Sequence, residues 1–275
     1  MNSLFGLEGK RVAVLGGGFG MGEATCNMLA DLGCNVAVLD IIPERAERVA
    51  ADISKKGVKG LPVVADVLDD EALTSSLARI ERELGLLDGL ATIVGMAYMG
   101  SSVDMPMETW DTDHRRNLRY IFLAAREVAR SLISRKARGS IVSVASVDGI
   151  SASTNHAAYG AAKAGLIHMA KSLAGEWSPY GVRINVVAPG GMVTPRAPIK
   201  SEENERATMA LVPMRRRGGV DDIAKAITFF LSDLSAYVTG QTLAVDGGFT
   251  SVGPIDYSRY GAMKGVVGID AKDLT

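Results

Sequence analysis

The chain has 275 residues, 47% of them hydrophobic and 22% charged; this is the make-up of an ordinary globular protein with material for one large core, and it excludes disorder over most of the length. Thirty Lys and Arg against 31 Asp and Glu leave a net charge of −1, so no pull toward nucleic acid or an anionic membrane is evident. Two cysteines, Cys26 and Cys34, and three scattered histidines, His114, His156 and His168, exclude a disulfide framework and give no metal-ligand spacing.

The first residues lack the basic flank and apolar run of a signal peptide, and no stretch approaches the ~18 apolar residues of a membrane span. A cytoplasmic protein is expected. The basic runs 135–138 and 215–217 are short and read as solvated surface or ion-pair sites.

In chain order, short β-branched runs alternate with helical patterns. Residues 11–15 read as a buried strand, followed by a glycine-rich turn and a helix to about Leu32. A second strand, 35–39, ends at Asp40, and Pro43 opens a helix where its missing N–H costs little. Residues 61–65 form a third strand. The helix after it carries Leu73, Leu77, Ile80 and Leu84 on one face. Further strands are predicted at 90–94, 140–144, 183–187 and 242–245. Between them lie helices striped by Ile121, Ala125, Val128 and Leu132, by Leu166, Ala170, Leu173 and Trp177, and by Ile223, Ile227 and Phe230. Continuous apolar strands alternating with helices predict a single α/β domain: a doubly wound, seven-stranded parallel sheet with helices on both faces and ligands at the strands' carboxyl ends. Residues 1–250 would form this domain and 251–275 a C-terminal extension.

The turn after the first strand reads Gly16-Gly-Gly-Phe-Gly20-Met-Gly22. Glycines there permit positive φ and a close backbone approach to a pyrophosphate at the helix start, although such a cluster also serves a plain tight turn. Its spacing is G-x-x-x-G-x-G, not G-x-G-x-x-G; its place between strand and helix is what the motif requires. Asp40 at the end of the second strand suits the ribose hydroxyls of an adenosine and repels a 2′-phosphate, favouring NAD(H) over NADP(H), with Arg45 the residue that could weaken the preference. Its alternative role is to cap the helix before Pro43. Asp66 either bonds an adenine edge or caps the following helix.

Tyr159 and Lys163 lie four residues apart on one helix face. A free phenol titrates near ~10, and a nearby cation favours the phenolate, making a proton-transfer pair for alcohol or ketone chemistry. Ser146, 13 residues upstream at a strand end, can hold the substrate oxygen beside Tyr159.

On Gly16, Gly20 and Gly22, Asp40, Asp66-Val67, Gly95, Asn117, Ser146, Tyr159 with Lys163, Pro189-Gly190 with Thr194, and Asp246-Gly247-Gly248, the chain resembles the short-chain dehydrogenase/reductase family over roughly residues 7–248. The resemblance implies a Rossmann-like fold and a role for each residue. Tyr159 would be the general acid/base, Ser146 would polarise the substrate oxygen, and Lys163 would lower the Tyr159 pKa and hold the nicotinamide ribose. Asn117 would fix a helix kink and a water of the proton relay. Cofactor contacts would come from Gly16, Gly18, Phe19, Gly20, Met21 and Gly22, from Asp40 and Ile41, from Asp66 and Val67, from Val94 and Gly95, and from Pro189, Gly190, Met192 and Thr194. A homo-oligomer, tetramer or dimer, would be usual.

Three departures stand out. Leu15 replaces the family's Thr before the first glycine. Thr92-Ile93-Val94-Gly95 replaces Asn-Asn-Ala-Gly, from which altered cofactor affinity is expected. Ala145 replaces the first of two serines.

Met96, Tyr98, Asp148, His156, Gly191 and Met192 are the candidate substrate contacts, beside Ser146 and Tyr159. The methionines suggest an adaptable apolar pocket, although Met is also common core filler. The leading expectation is an NAD-dependent enzyme interconverting a secondary alcohol and a ketone on an apolar, cyclic small molecule. The alternatives are a 3-oxoacyl-thioester reductase, which usually goes with NADP(H) and a basic docking surface, and a catalytically silent dinucleotide-binding or assembly protein. The last 25 or so residues are apolar enough to pack over the substrate loop or a neighbouring subunit, the other reading being a disordered end.

Overall fold

A computed structural model describes residues 2–252. The predicted packing of the C-terminal extension lies, apart from its first two residues, outside the described residues. After a short helix α1 (Asn2–Phe5), the chain alternates β1 (Arg11–Leu15), α2 (Met21–Asp31), β2 (Asn35–Asp40), α3 (Pro43–Ser54), β3 (Gly60–Val64), α4 (Asp70–Glu83) and β4 (Gly89–Thr92). Next come α5 (Met107–His114), a π-helical turn (Arg115–Arg119) running into α6 (Tyr120–Ser134), then β5 (Gly139–Val144), α7 (Ala157–Trp177) and β6 (Val182–Pro189). The chain continues through α8 (Glu202–Met209), α9 (Val220–Leu231) and β7 (Thr242–Val245).

All seven strands pair in parallel in the order β3-β2-β1-β4-β5-β6-β7. The central strands are largely apolar and buried because both faces are covered. Ala13, Leu15, Ala37 and Leu39 join the core under α4, α6 and α7, while Val12, Val14, Val36 and Val38 join the one under α2, α3 and α9. The predicted stripes are the buried ones: Ile121, Ala125, Val128 and Leu132 in α6, and Ile223, Ile227 and Phe230 in α9.

The connection from β1 leads to β2 on one side, and β4 lies against β1 on the other, so the order reverses between β1 and β4. Loops leaving two such neighbours diverge, and a crevice opens at their carboxyl ends. Among the described residues, no helix is long and apolar enough to cross a membrane.

Candidate active site

The crevice is a cavity of about 490 Å³ walled by the glycine turn, the ends of β2, β3 and β4, and the loop after β6. Gly16, Phe19, Gly20, Met21, Asp40, Ile41, Asp66, Val67, Val94, Gly95 and Thr194 line it, all anticipated from sequence. Gly16 and Gly17 donate to the Leu39 carbonyl at 2.8 and 2.9 Å, which ties the turn to β2 without the side chain missing at Leu15. Gly16 and Gly20 have positive φ, +88° and +58°. A Cβ on Gly22 would stand 1.8 Å from the Gly16 carbonyl oxygen, so the turn closes onto the first turn of α2 only without side chains. The N-cap of α2, Gly20, offers no side-chain cap; Gly22 and Glu23 donate to the Phe19 carbonyl, while the N–H groups of Phe19, Gly20 and Met21 make no hydrogen bond among the described residues and belong to the wall of a cavity that a phosphate would suit. These residues fit a dinucleotide's pyrophosphate.

Asp40 is 8% exposed and accepts from the N–H of Gly18 (3.2 Å) and of Ile42 (3.0 Å). The helix-capping alternative is overturned: the N-cap of α3 is Ile42, whose apolar side chain cannot cap, and Asp40 reaches only the Ile42 N–H ahead of the helix. Asp66 is likewise no cap. Asp69 caps α4 through Glu71 and Ala72, whereas Asp66 accepts from Leu68 N at 2.9 Å and faces the cavity. Arg45 stacks over the Phe19 ring at 4.5 Å, and Arg196 of the loop after β6 approaches the same ring at 5.9 Å.

The proton-handling residues meet at the next strand ends. Gly95 joins the two halves: a Cβ there would lie 3.0 Å from Asn117 Oδ1 and 3.3 Å from Lys163 Nζ. Asn117, fully buried within the π-helical turn, accepts from Met96 N (3.3 Å) and donates to Met96 O and Asp113 O (both 2.9 Å). Ser146 follows β5, accepts from Asp148 N at 3.1 Å, and its hydroxyl is near enough to the Tyr159 phenol to lower its pKa. Lys163, 2% exposed, donates to the Val144 carbonyl at 2.8 Å.

Burial, with Asp148 and Asp113 adding to it, raises the Tyr159 pKa, and Ser146 lowers it. Burial also pulls Lys163 down to about 7, and its Nζ sits 5.6 Å from the Tyr159 ring centroid. The phenol therefore starts as an acid.

On the substrate side, Asp148 and His156 bond through Oδ2 and Nδ1 at 2.6 Å, Ser153 also donates to Asp148, and the imidazole meets the Tyr159 ring edge-on. Met96 and Tyr98 are exposed beside them. Met192 departs from expectation. It packs on the core under α9 and bridges Gly218, so its side chain serves the loop's attachment. Gly190 donates to Val245 O at 3.0 Å and Gly218 to Gly191 O at 3.1 Å, which ties this loop to β7 and to the segment before α9. Gly18, Gly22, Pro189 and Gly190 support the walls without lining the cavity.

Sequence reasoning missed Leu39, Ala65, Leu68, Ile93 and Arg116, which also line it, as does Arg196 at the start of the loop 195–214, which sequence reasoning places near the reacting carbon. The strand-end rule could have found Leu39, Ala65 and Ile93. The two missing asparagines after β4 are replaced by Thr92, whose hydroxyl donates to Ser143 at 3.0 Å, and by Tyr120, whose phenol donates to Val94 O at 2.7 Å.

Proton transfer beside a nucleotide crevice at the sheet's switch point defines a dinucleotide-dependent oxidoreductase acting on CH–OH and C=O groups. The chain belongs to the short-chain dehydrogenase/reductase family: a family model described as enoyl-(acyl carrier protein) reductase matches residues 17–250. It is 34% identical over 252 residues to the 2-(S)-hydroxypropyl-CoM dehydrogenase 3 of Xanthobacter autotrophicus, covering 90% of this chain and 98% of that one. Identity is 35% over 245 residues to the 3-oxoacyl-(acyl-carrier-protein) reductase of Escherichia coli, covering 89% and 99%. A short-chain type dehydrogenase/reductase from Mycobacterium marinum superposes with a TM-score of 0.84 at 28% identity, covering 91% and 99%.

Proposed function

We propose that this chain interconverts a 3-oxoacyl thioester and its 3-hydroxy form with NAD(H). The observation that carries the chemistry is the convergence of Ser146, Tyr159 and the buried Lys163, whose Nζ lies 5.6 Å from the Tyr159 ring centroid. Gly16, Gly20, Met21, Asp40, Gly95 and Thr194 would hold the dinucleotide, which when bound exchanges a hydride with the substrate carbon. Ser146 holds the substrate oxygen, and Tyr159 gives it a proton in reduction or takes one in oxidation. A phenol raised by burial suits the first direction.

The thioester reading rests on the likeness to 3-oxoacyl-(acyl-carrier-protein) reductase over most of both chains. The ring-shaped substrate expected first draws weaker support, from the 2,3-dihydro-2,3-dihydroxybenzoate dehydrogenase of Bacillus subtilis at 32% identity over 255 residues, against 3-oxoacyl-(acyl-carrier-protein) reductases of several organisms. Preference for NAD(H) rests on Asp40, whose carboxylate would face a 2′-phosphate across the cavity wall. Arg45, engaged on Phe19, does not pair with Asp40.

The test is turnover of acetoacetyl-CoA with NADH and with NADPH, against a panel of cyclic ketones and polyols, followed by nicotinamide absorbance. Acetoacetyl-CoA reduced faster than any ring ketone, with NADH preferred, is expected. Turnover of ring ketones alone would overturn the substrate class. NADPH preference would overturn the cofactor assignment, and no turnover in any arm would favour a silent dinucleotide-binding protein.

A further inference from the structure

The chain leaves β4 at Thr92 and runs through residues 93–99 without joining a sheet. Backbone polar groups in such a stretch need partners, and here alternate residues find them in a regular order. Val94 O accepts from the Tyr120 phenol (2.7 Å), Met96 N and O both bond the Asn117 amide (3.3 and 2.9 Å), and Tyr98 N donates to Asp113 Oδ2 (3.2 Å). Gly100 N continues the series by donating to Asn155 O at 3.1 Å, in the loop that carries His156. Gly95 and Ala97, between them, make no hydrogen bond among the described residues.

Residues 113, 117 and 120 are spaced four and three apart on α5, the π-helical turn and α6, so they form one helical stripe. All three are buried, Asp113 at 2% exposure, Asn117 at 0% and Tyr120 at 1%. The stripe does for this segment what a neighbouring strand does in a sheet: it sets register and rotation, with a period of two on one side and a helical period on the other. Asp113 is its outermost member. A carboxylate at such burial is costly unless hydrogen-bonded, and the Tyr98 amide is the group it holds.

We propose that Asp113 is a positioning residue, which through the Tyr98 amide fixes Tyr98 against the substrate while Asn117 and Tyr120 fix Met96 and the cofactor-side part of the segment. The division is spatial. Val94, Gly95 and Met96 line the nucleotide cavity, whereas Tyr98 lies beyond it, toward the His156 loop. Loss of Asp113 therefore acts on substrate more than on dinucleotide.

The substrate arm rests on the thioester reading above, so the experiment includes a readout independent of turnover. Amide hydrogen exchange is followed at Tyr98 and at Ile93, whose N–H donates to Leu15 O at 3.0 Å, in the wild type, Asp113→Ala and Asp113→Asn, with NADH affinity and acetoacetyl-CoA kinetics in parallel. Asn keeps an oxygen acceptor for the amide. We expect Asp113→Ala to speed Tyr98 exchange at least ~10-fold with Ile93 unchanged, a local opening and not a global one. It should also raise the substrate KM by about tenfold, leave NADH affinity within about twofold, and be largely rescued by Asn. Unchanged Tyr98 exchange in Asp113→Ala overturns the proposal; so does accelerated exchange at Tyr98 and Ile93 alike, which marks a global stability role, or a NADH affinity that falls with the KM. If the wild type does not reduce acetoacetyl-CoA, the thioester reading fails and the exchange and NADH arms decide this proposal on their own.

Discussion

Lys163 donates its Nζ to the carbonyl oxygen of Val144 at 2.8 Å, fixing the ammonium to the end of β5 from inside the core. The position is catalytically apt and energetically poor. Burial pulls the pKa from 10.5 to about 7, so the unfolded chain binds more protons than the folded one between those values. Stability should rise with pH across that window, and the penalty is fully present below about 7. Lys163→Met removes it at the cost of one hydrogen bond worth about 1 kcal/mol, against roughly 1.4 kcal/mol for each unit of displacement. The variant should be inactive yet more resistant to urea than wild type at about pH 6, by a few kcal/mol, with the gap closing by about pH 10. Equal or lower resistance at the lower pH would contradict this account.

Tyr159→Phe separates an enzyme from a silent dinucleotide-binding relative. The phenol is the only part of the side chain that reaches Ser146, so its removal should lower kcat by roughly 10²–10⁴-fold. The ring still fills its place beside His156, and NADH affinity should stay within about twofold of wild type. A variant with near-normal turnover would move the proton transfer to another group.

Much of this was legible in the sequence because two-sided burial writes itself as unbroken apolar runs. The seven strands fall where Val, Ile, Leu and Ala cluster, with edges displaced by a residue or two. Gly60, Gly89 and Gly139 each begin a strand, paired with Val36, Val12 and Val182, although glycine is poorly suited to strands and masked those starts. Ile93 and Val94 look like strand and are not, since the Tyr120 phenol draws the Val94 carbonyl out of the ladder. The glycine turn and the Ser146, Tyr159 and Lys163 spacing carried the site. Asp113 and Arg116 were not readable, because a charged residue on a helix ordinarily signals solvent. Whether it faces a cavity is decided by tertiary packing.

Two glycines give opposite expectations for the same substitution. At Gly22 the added methyl would meet the Gly16 carbonyl at 1.8 Å and its carbon at 2.7 Å, both backbone atoms of the turn. Gly22→Ala should cost about 1–3 kcal/mol and weaken NADH binding at least tenfold. At Gly175, on the exposed side of α7, nothing lies within 4 Å. Gly175→Ala should stabilise by about 0.5–1 kcal/mol and leave binding unchanged. Thermal melts with and without NADH read both effects.

Asp40 links the shape of the turn to the choice of cofactor, and its two functions can be pulled apart. The carboxylate holds the Gly18 and Ile42 amides, and its charge disfavours a 2′-phosphate. Asp40→Ala removes both, so the turn should loosen and NADH affinity fall several-fold while the bar to NADPH is lifted. Asp40→Asn keeps an oxygen for one of the amides and removes only the charge. Its NADH affinity should fall less than that of the Ala variant, while the NADH-to-NADPH affinity ratio drops by on the order of tenfold, the equivalent of about 1.4 kcal/mol. With the carboxylate gone, Arg45, stacked on Phe19 beside the turn, is a cation placed to meet the added phosphate, so Asp40→Asn combined with Arg45→Ala should lose the gain in NADPH affinity. Fluorescence titration of each variant with both dinucleotides measures the ratios, and a ratio unmoved by Asp40→Asn would place cofactor choice elsewhere in the cavity.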